Sequence, residues 1–160
     1  MVSYKEIERA IEAKAPLDYQ EDWDNSGWQV RLKTEFNRIL LALEIRSDVI
    51  EEAVNRKCDL IITHHPLIFG ALQQVVGLEG IDFNANDEID NNNITSNMLI
   101  DLIQEGISVY SSHTPFDKCS DGNNDFLGAM LGLDRIRLAE SGEGYVRVGD
   151  YIEPIGLREI

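Results

Sequence analysis

Asp59-Leu60-Ile61-Ile62-Thr63-His64-His65-Pro66 is the segment that most strongly indicates the fold class. Its run of apolar and β-branched residues predicts a short strand that is buried on both faces, which is typical of a parallel sheet. Two histidines follow directly where this strand ends. Because ligand sites in open parallel sheets lie beyond the carboxyl ends of the strands, the segment predicts the architecture and the position of a site together.

The residues before this segment favour a parallel arrangement. The nearly continuous apolar run at 38–44 predicts another strand that is buried on both faces. Ser47 fits the N-cap of a helix over 48–57, whose first turn carries several acids. A strand, a helix and a second strand in this order form a βαβ unit.

The rest of the chain predicts more helices and strands around this unit. Ser3 and Glu6 fit a capping box that opens a helix over 4–14. The Asp- and Asn-rich stretch 77–93 predicts an exposed loop. The further predicted elements are a helix over 95–105, a strand over 107–111, a helix from Asp121 or Asn123 to Leu131, short strands at 136–139 and 145–148, and the opening of a helix at 153–160.

Taken together, these elements predict one α/β domain over residues 1–160, with a mixed or parallel sheet flanked by helices. The net charge of −15 repels nucleic-acid backbones, so we expect no wrapping of DNA or RNA. No apolar run is long enough to span a membrane, and the N-terminus lacks the apolar core of a secretion signal. We therefore expect a cytoplasmic protein without a membrane partner.

All three histidines lie in two short segments, each directly after a predicted strand. His64 and His65 follow the first strand, and Ser112-His113-Thr114-Pro115-Phe116-Asp117 follows the second. Imidazole and carboxylate are the usual ligands of zinc, iron, manganese and related ions. Neighbouring side chains in extended backbone point to opposite sides, so His64 and His65 would each serve one of two ions rather than share one.

Other interpretations of these residues stay open on pattern alone. A histidine near a strand end is often an ordinary hydrogen-bonded residue. Trp23 and Trp28 could stack on a base, but burial in the core is favoured. The turn at 22–27 either shapes the floor of a pocket or is a turn without further function.

Several segments resemble the Nif-three-like family (NGG-one-interacting factor three), whose members are often called GTP cyclohydrolase I type 2 homologues. The resemblance covers essentially the whole chain, and the His-His-Pro segment is highly specific to the family. The matching segments are 21–30, 59–69 and 109–117, with further similarity at 122–125 and 131–133.

The resemblance implies a two-metal centre. His64 would ligate one divalent ion, His65 the other, and Asp117 would join His64 on its ion. His113 would lie near the site without being a ligand, and we take it as the catalytic candidate. The family's remaining ligands, a His and a Glu, come from a second half, so we expect the 160 residues to be the N-terminal part of a longer, two-half fold. Family members form toroidal hexamers, which implies a homo-oligomer.

The predicted function is that of a metal-dependent, hydrolase-like protein that acts on a nucleotide-type small molecule. If the family's label applies, a hydroxide generated at the metals attacks the guanine ring of GTP, and His113 shuttles a proton. The alternative is a non-enzymatic protein that binds metal or a partner. A third alternative is a degenerate product without activity.

Overall fold

The computed structural model describes residues 1–77, 91–154 and 156. Its central sheet has four strands in the order β2-β6-β5-β4, where β4, β5 and β6 run parallel and β2 pairs antiparallel with β6. The predicted mixed α/β fold is confirmed. The antiparallel strand β2 was not predicted. The four strands are β2 (Gly27–Val30), β4 (Ile39–Ala42), β5 (Leu60–Thr63) and β6 (Ser108–Ser111).

Helices cover both faces of this sheet, and two small antiparallel pairs complete the described fold. The helices are α1 (Tyr4–Glu12), α2 (Ser47–Asn55), α3 (Asn91–Glu105), α4 (Thr114–Lys118) and α5 (Asn123–Met130). The paired strands are β1 (Val2–Ser3) with β3 (Glu35–Phe36), and β7 (Asp134–Leu138) with β8 (Arg147–Asp150).

Strand β5 joins the two halves of the core, as its composition predicts. Leu60 and Ile61 are both 0% exposed, and their side chains point to opposite faces of the sheet. Ile61 packs into the cluster that includes residues of α2 and α3. Leu60 packs with Ile7 of α1, Phe36 and Tyr110 on the other face.

The first helix begins where the capping box predicts. The Ser3 hydroxyl accepts a hydrogen bond from the Glu6 backbone N–H (3.3 Å), and the Glu6 carboxylate accepts one from the Ser3 N–H (2.9 Å). Two backbone donors that the helix leaves free are thereby paired. The helix ends at Glu12, two residues before the predicted end.

The prediction that the strand at 38–44 is buried on both faces was wrong. Strand β4 is the last strand of the sheet, and Leu41 is 74% exposed. Leu40 and Ala42 pack against the cluster on the α2 and α3 face, so only that face of β4 is covered. The α1 face has its cluster on β5 and β6, which leaves Ile39 and Leu41 in solvent.

Several element boundaries also differ from the predictions. The described part of helix α3 starts at Asn91, so residues 91–93 of the predicted loop are helical, and residues 78–90 lie outside the described part. Arg46 rather than Ser47 is the N-cap of α2. The two described residues at the start of the predicted terminal helix, Glu153 and Pro154, are not helical. None of the described helices is long and apolar enough to cross a membrane.

Leu60 of β5 is buried and Leu41 of β4 is exposed, so truncating each to alanine should lower the free energy of unfolding by different amounts. Leu60→Ala should lower the free energy of unfolding by about 3 kcal/mol, because it opens a cavity between α1 and the sheet. Leu41→Ala removes the same atoms from an exposed position and should cost less than about 0.5 kcal/mol. Urea unfolding followed by circular dichroism measures both. Equal losses in the two variants would contradict the described packing.

Candidate metal centre

The candidate site lies where the parallel strands β5 and β6 end side by side. Thr63 and Ser111, the last residues of these strands, are register partners, and their hydroxyl oxygens are 2.8 Å apart. The segments that follow them bring the rings of His64, His65 and His113 together, with centroids 5.0–5.6 Å apart. One ligand nitrogen of each ring lies within 4.8 Å of the other two. Three imidazoles at this spacing could hold a metal ion.

The imidazole rings of the adjacent His64 and His65 lie on the same side of the chain, with centroids 5.1 Å apart. The prediction that they point to opposite sides was therefore wrong. The Leu43 carbonyl accepts hydrogen bonds from both backbone N–H groups, at 3.1 Å from His64 and 2.8 Å from His65. The chain therefore bends directly after Thr63, and the alternation of an extended strand ends there. That His64 and His65 bind two different ions stays a prediction.

Each of the three imidazoles is held through its Nδ1 atom by an oxygen. These oxygens can only accept hydrogen bonds, so in the neutral imidazole Nδ1 carries the proton and Nε2 keeps its lone pair, which in His64 lies 3.4 Å from the Asn123 amide nitrogen. Metal-ligating histidines commonly have this arrangement, which fixes the tautomer and the ring orientation. The acceptors are the Ser112 carbonyl for His64 (3.0 Å), the Glu44 carboxylate for His65 (3.2 Å) and the Asp24 carboxylate for His113 (2.9 Å).

Asp117 lies next to His64, with 3.5 Å between the carboxylate Oδ1 and the imidazole Nε2. Helix α4 causes this proximity, because His113 is its N-cap and Asp117 follows one turn later. The Asn123 amide donates a hydrogen bond to the same oxygen at 2.9 Å and fixes its position. The same amide nitrogen lies 3.4 Å from Nε2, so it contacts both acceptors, and a metal ion bound between them would relieve their mutual repulsion more strongly. The pair therefore suits a divalent ion.

Burial keeps His64 in the form that binds metals. It lowers the pKa of His64 below the ordinary value, and the nearby Asp117 carboxylate, which acts in the opposite direction, does not offset it. The imidazole is therefore neutral near pH 7, and protons compete weakly with a metal for Nε2.

Asp24 is the most deeply buried carboxylate of the site. It accepts hydrogen bonds from the Thr114 N–H (3.1 Å) and hydroxyl, the Ser26 hydroxyl (2.9 Å), the Asn25 N–H (2.7 Å) and His113. Burial raises the pKa of Asp24, but the bonds from Thr114, His113, Asn25 and Ser26 together lower it more, so the net pKa lies below its usual value. The charged form therefore persists and orients His113.

Sequence reasoning missed the roles of Asp24 and Glu44. Glu44 comes two residues after β4 ends, so the rule that located the histidines would also have found it. Asp24 precedes the unpredicted strand β2, and its position follows only from the antiparallel pairing of β2 with β6. The turn at 22–27 thus supports the site through Asp24, which favours the first of its two interpretations.

An arginine of β8, whose side chain is only 8% exposed, fixes the segment that carries Asp117. The Arg147 guanidinium donates to the Asp125 carboxylate (2.6 Å) and to the carbonyls of Lys118 and Cys119 (both 3.0 Å). These bonds join the end of α4 to the start of α5, which are the elements of Asp117 and its amide partner. The β7–β8 pair is therefore part of the support of the candidate centre.

The fold and the site define a class of protein: a mixed α/β sheet with imidazole and carboxylate groups gathered at the carboxyl ends of its parallel strands. The chain belongs to the Duf34/NIF3 (NGG1p interacting factor 3) family, whose sequence profile matches residues 2–160. The resemblance read from the His-His-Pro segment is thus confirmed.

Relatives in sequence carry the name of a cyclohydrolase. The chain is 38% identical over 154 residues to the GTP cyclohydrolase 1 type 2 of Helicobacter pylori, which covers 96% of this chain and 56% of that protein. It is 33% identical over 132 residues to the GTP cyclohydrolase 1 type 2 homologue of Clostridium acetobutylicum, with 82% and 44% covered. The chain therefore spans about half the length of these relatives.

Solved structures of the family share the fold. Reduced HcgD from Methanocaldococcus jannaschii superimposes with a TM-score of 0.73 at 30% identity, over 92% of this chain and 54% of that one. A Bacillus cereus protein related to NIF3 gives a TM-score of 0.70 at 26% identity, over 85% and 34%.

The hydrogen bonds of Asp24 predict a loss of both stability and site order in Asp24→Asn. The amide cannot accept the same set of bonds, so the free energy of unfolding at pH 7 should fall by about 3 kcal/mol. Because the folded pKa is lowered, the part of this contribution that belongs to the charged form is present above the unfolded pKa of about 3.9 and is lost as the pH falls through the folded value. Urea unfolding at pH 7 and pH 3 should therefore show a smaller difference between variant and wild type at the lower pH. A difference that is independent of pH would contradict this role of Asp24.

Proposed function

We propose that the chain carries a divalent-metal centre that activates water for hydrolysis of a nucleotide-type small molecule. The observation that carries this proposal is the convergence of three imidazoles, each with its Nδ1 held by an oxygen. The names of the relatives support a substrate of the GTP class. Because the chain spans only part of those relatives, the activity of the whole protein is part of the proposal.

His64 and Asp117 would hold one ion and His65 a second. Neutral imidazole and carboxylate suit zinc, iron or manganese equally, so the donor set fits the proposed ions without selecting among them. Such ions supply Lewis acidity, which lowers the pKa of water toward neutrality. Glu44 and the Ser112 carbonyl would keep the two imidazoles oriented.

His113 would handle the proton. Its Nδ1 is held by the buried Asp24 carboxylate, which stabilises the imidazolium that forms when Nε2 accepts a proton. An imidazole oriented by a carboxylate is the usual arrangement of a general base. The same Nε2 cannot ligate a metal and accept a proton at once, so this role and a role as third ligand exclude each other.

A non-enzymatic metal-binding function is the second candidate, and a specific observation favours it. His64, His65, His113 and Asp117 together offer four donors, which is the number that fills a tetrahedral zinc site. Such a site has no open position for water or substrate and would serve binding alone. The assignment of His113 therefore separates the two candidates.

Metal content and turnover, measured together on the same variants, test the proposal. The full chain is loaded separately with Zn²⁺, Mn²⁺ and Fe²⁺, dialysed, analysed for ions per chain, and incubated with GTP. We expect His113→Asn to keep its metal and to lose at least about a hundredfold in turnover, because it removes only the proton acceptor. His65→Ala and Asp117→Asn should lose metal and turnover together.

The control is Asp121→Asn, which alters an exposed carboxylate four residues beyond Asp117 and should change neither quantity. Loss of metal in His113→Asn, or full metal content with no turnover of GTP in the wild type, would reject the hydrolase in favour of the second candidate. The hexamer implied by the family resemblance stays a prediction, and sedimentation of the same samples measures it.

A further inference from the structure

Two large aromatic side chains stand exposed beside the histidine cluster. Trp23 is 60% exposed and Phe69 is 59% exposed, and their ring centroids are 6.0 Å apart at a tilt of 41°. The ring of His113 lies 6.0 Å from each of them, edge-on to both. The prediction that Trp23 is buried was therefore wrong. The two rings, which we call the aromatic pair, border the candidate metal centre.

Trp28 shows that the exposure of Trp23 is not general for tryptophan in this chain. Trp28 is partly buried and packs against the core, stacked on Phe36 at 5.6 Å and edge-on to Tyr110 at 5.2 Å. Its indole N–H is paired with the Glu8 carboxylate at 2.6 Å.

Hydrogen bonds beneath the aromatic pair hold its two segments together. The Asn25 side-chain amide donates to the Ile68 carbonyl at 2.8 Å, and the Gln29 side-chain oxygen accepts from the Ile68 N–H at 3.1 Å. Phe69 directly follows Ile68, and Trp23 lies two positions before Asn25, so both aromatic residues adjoin these hydrogen bonds. The pair is placed by these bonds while its rings stay open to solvent, which is the state of a preorganised contact surface.

We propose that the aromatic pair is a stacking platform for the planar heterocyclic ring of the substrate, of the purine type. This proposal rests on the proposed function for the position of the reacting atoms. A ring between two others needs contacts of about 3.5 Å on each side, so centroids 6.0 Å apart leave no room for insertion. The ligand ring therefore stacks on the exposed face of Trp23, and Phe69 borders its edge.

The charges of the site favour recognition through the ring. The carboxylates of Asp24, Glu44 and Asp117 stand around the histidines, within a chain whose net charge is −15. The phosphates of a nucleotide gain little from such surroundings without bound cations. Stacking needs no charge on the protein, because every base has a π-face, and it would hold the ring beside His113.

Titration with two fragments of a nucleotide tests the platform without relying on turnover. Guanosine supplies the ring without phosphate, and ribose 5-phosphate supplies phosphate without the ring. Binding of each to the full chain is followed by calorimetry and by quenching of tryptophan fluorescence. We expect guanosine to bind the wild type and Trp23→Leu to weaken that binding at least about fivefold, because a base stack is lost.

Trp23→Phe keeps an aromatic face and should restore most of the affinity for guanosine. Phe126→Leu removes an exposed phenylalanine on α5 and should leave the affinity unchanged. Ribose 5-phosphate lacks the ring, so its affinity should be the same for the wild type and for every variant. The platform is overturned if guanosine does not bind the wild type or binds Trp23→Leu equally well. It is also overturned if Trp23→Leu changes only the oligomeric state in sedimentation, which would make the pair a protein interface.

The ion content of each sample distinguishes this proposal from the proposed function. Trp23→Leu that loses guanosine but keeps its metal supports the platform and shows that the fold is intact. Trp23-dependent binding of guanosine by a wild type that holds no metal would sustain the platform while the proposed hydrolysis fails. Wild type that holds its metal but has no affinity for guanosine would overturn the platform and leave the proposed metal centre standing.

Discussion

The in-register parallel pairing of β5 with β6 positions the histidine segments and, through them, the whole candidate site. It ends both strands at one level, at Thr63 and Ser111, whose hydroxyls contact each other. The Thr63 hydroxyl also donates to the His65 carbonyl at 2.9 Å, which ties the first residues beyond the sheet to its last pair. A slip of one residue would turn Thr63 to the other face and separate the histidine segments.

The antiparallel strand β2 extends this edge with residues that precede it in sequence. Gly27 pairs with Ser111, so the turn before Gly27 lies at the same edge as the ends of β5 and β6. The turn places the Asp24 carboxylate against His113. The end of β4 adds Glu44 in the same way. All four strands of the sheet therefore contribute to one site, and the acids of this acidic chain orient its imidazoles.

The sequence predicted those parts of the structure that depend on local pattern. The apolar run of β5, the capping box at Ser3 and the position of the histidines after strand ends all follow from neighbouring residues. The exposure of Leu41 could not be predicted, because hydrophobicity does not reveal which strand lies at the edge of a sheet. The shared direction of His64 and His65 depends on a bend that the Leu43 carbonyl stabilises from another strand end. Such long-range contacts have no signature in a single sequence.

The three Nδ1 atoms face hydrogen-bond acceptors, which should orient the imidazoles with the proton on Nδ1 and none on Nε2. Long-range ¹H–¹⁵N correlation spectra of the imidazole rings in metal-free protein at pH 8 measure this directly. We expect the Nδ1–H tautomer for all three histidines, and a shift of the Nε2 resonances of His64 and His65 when Zn²⁺ is added. Nε2–H tautomers in the metal-free protein, or zinc-induced shifts that are larger at Nδ1 than at Nε2, would contradict this arrangement.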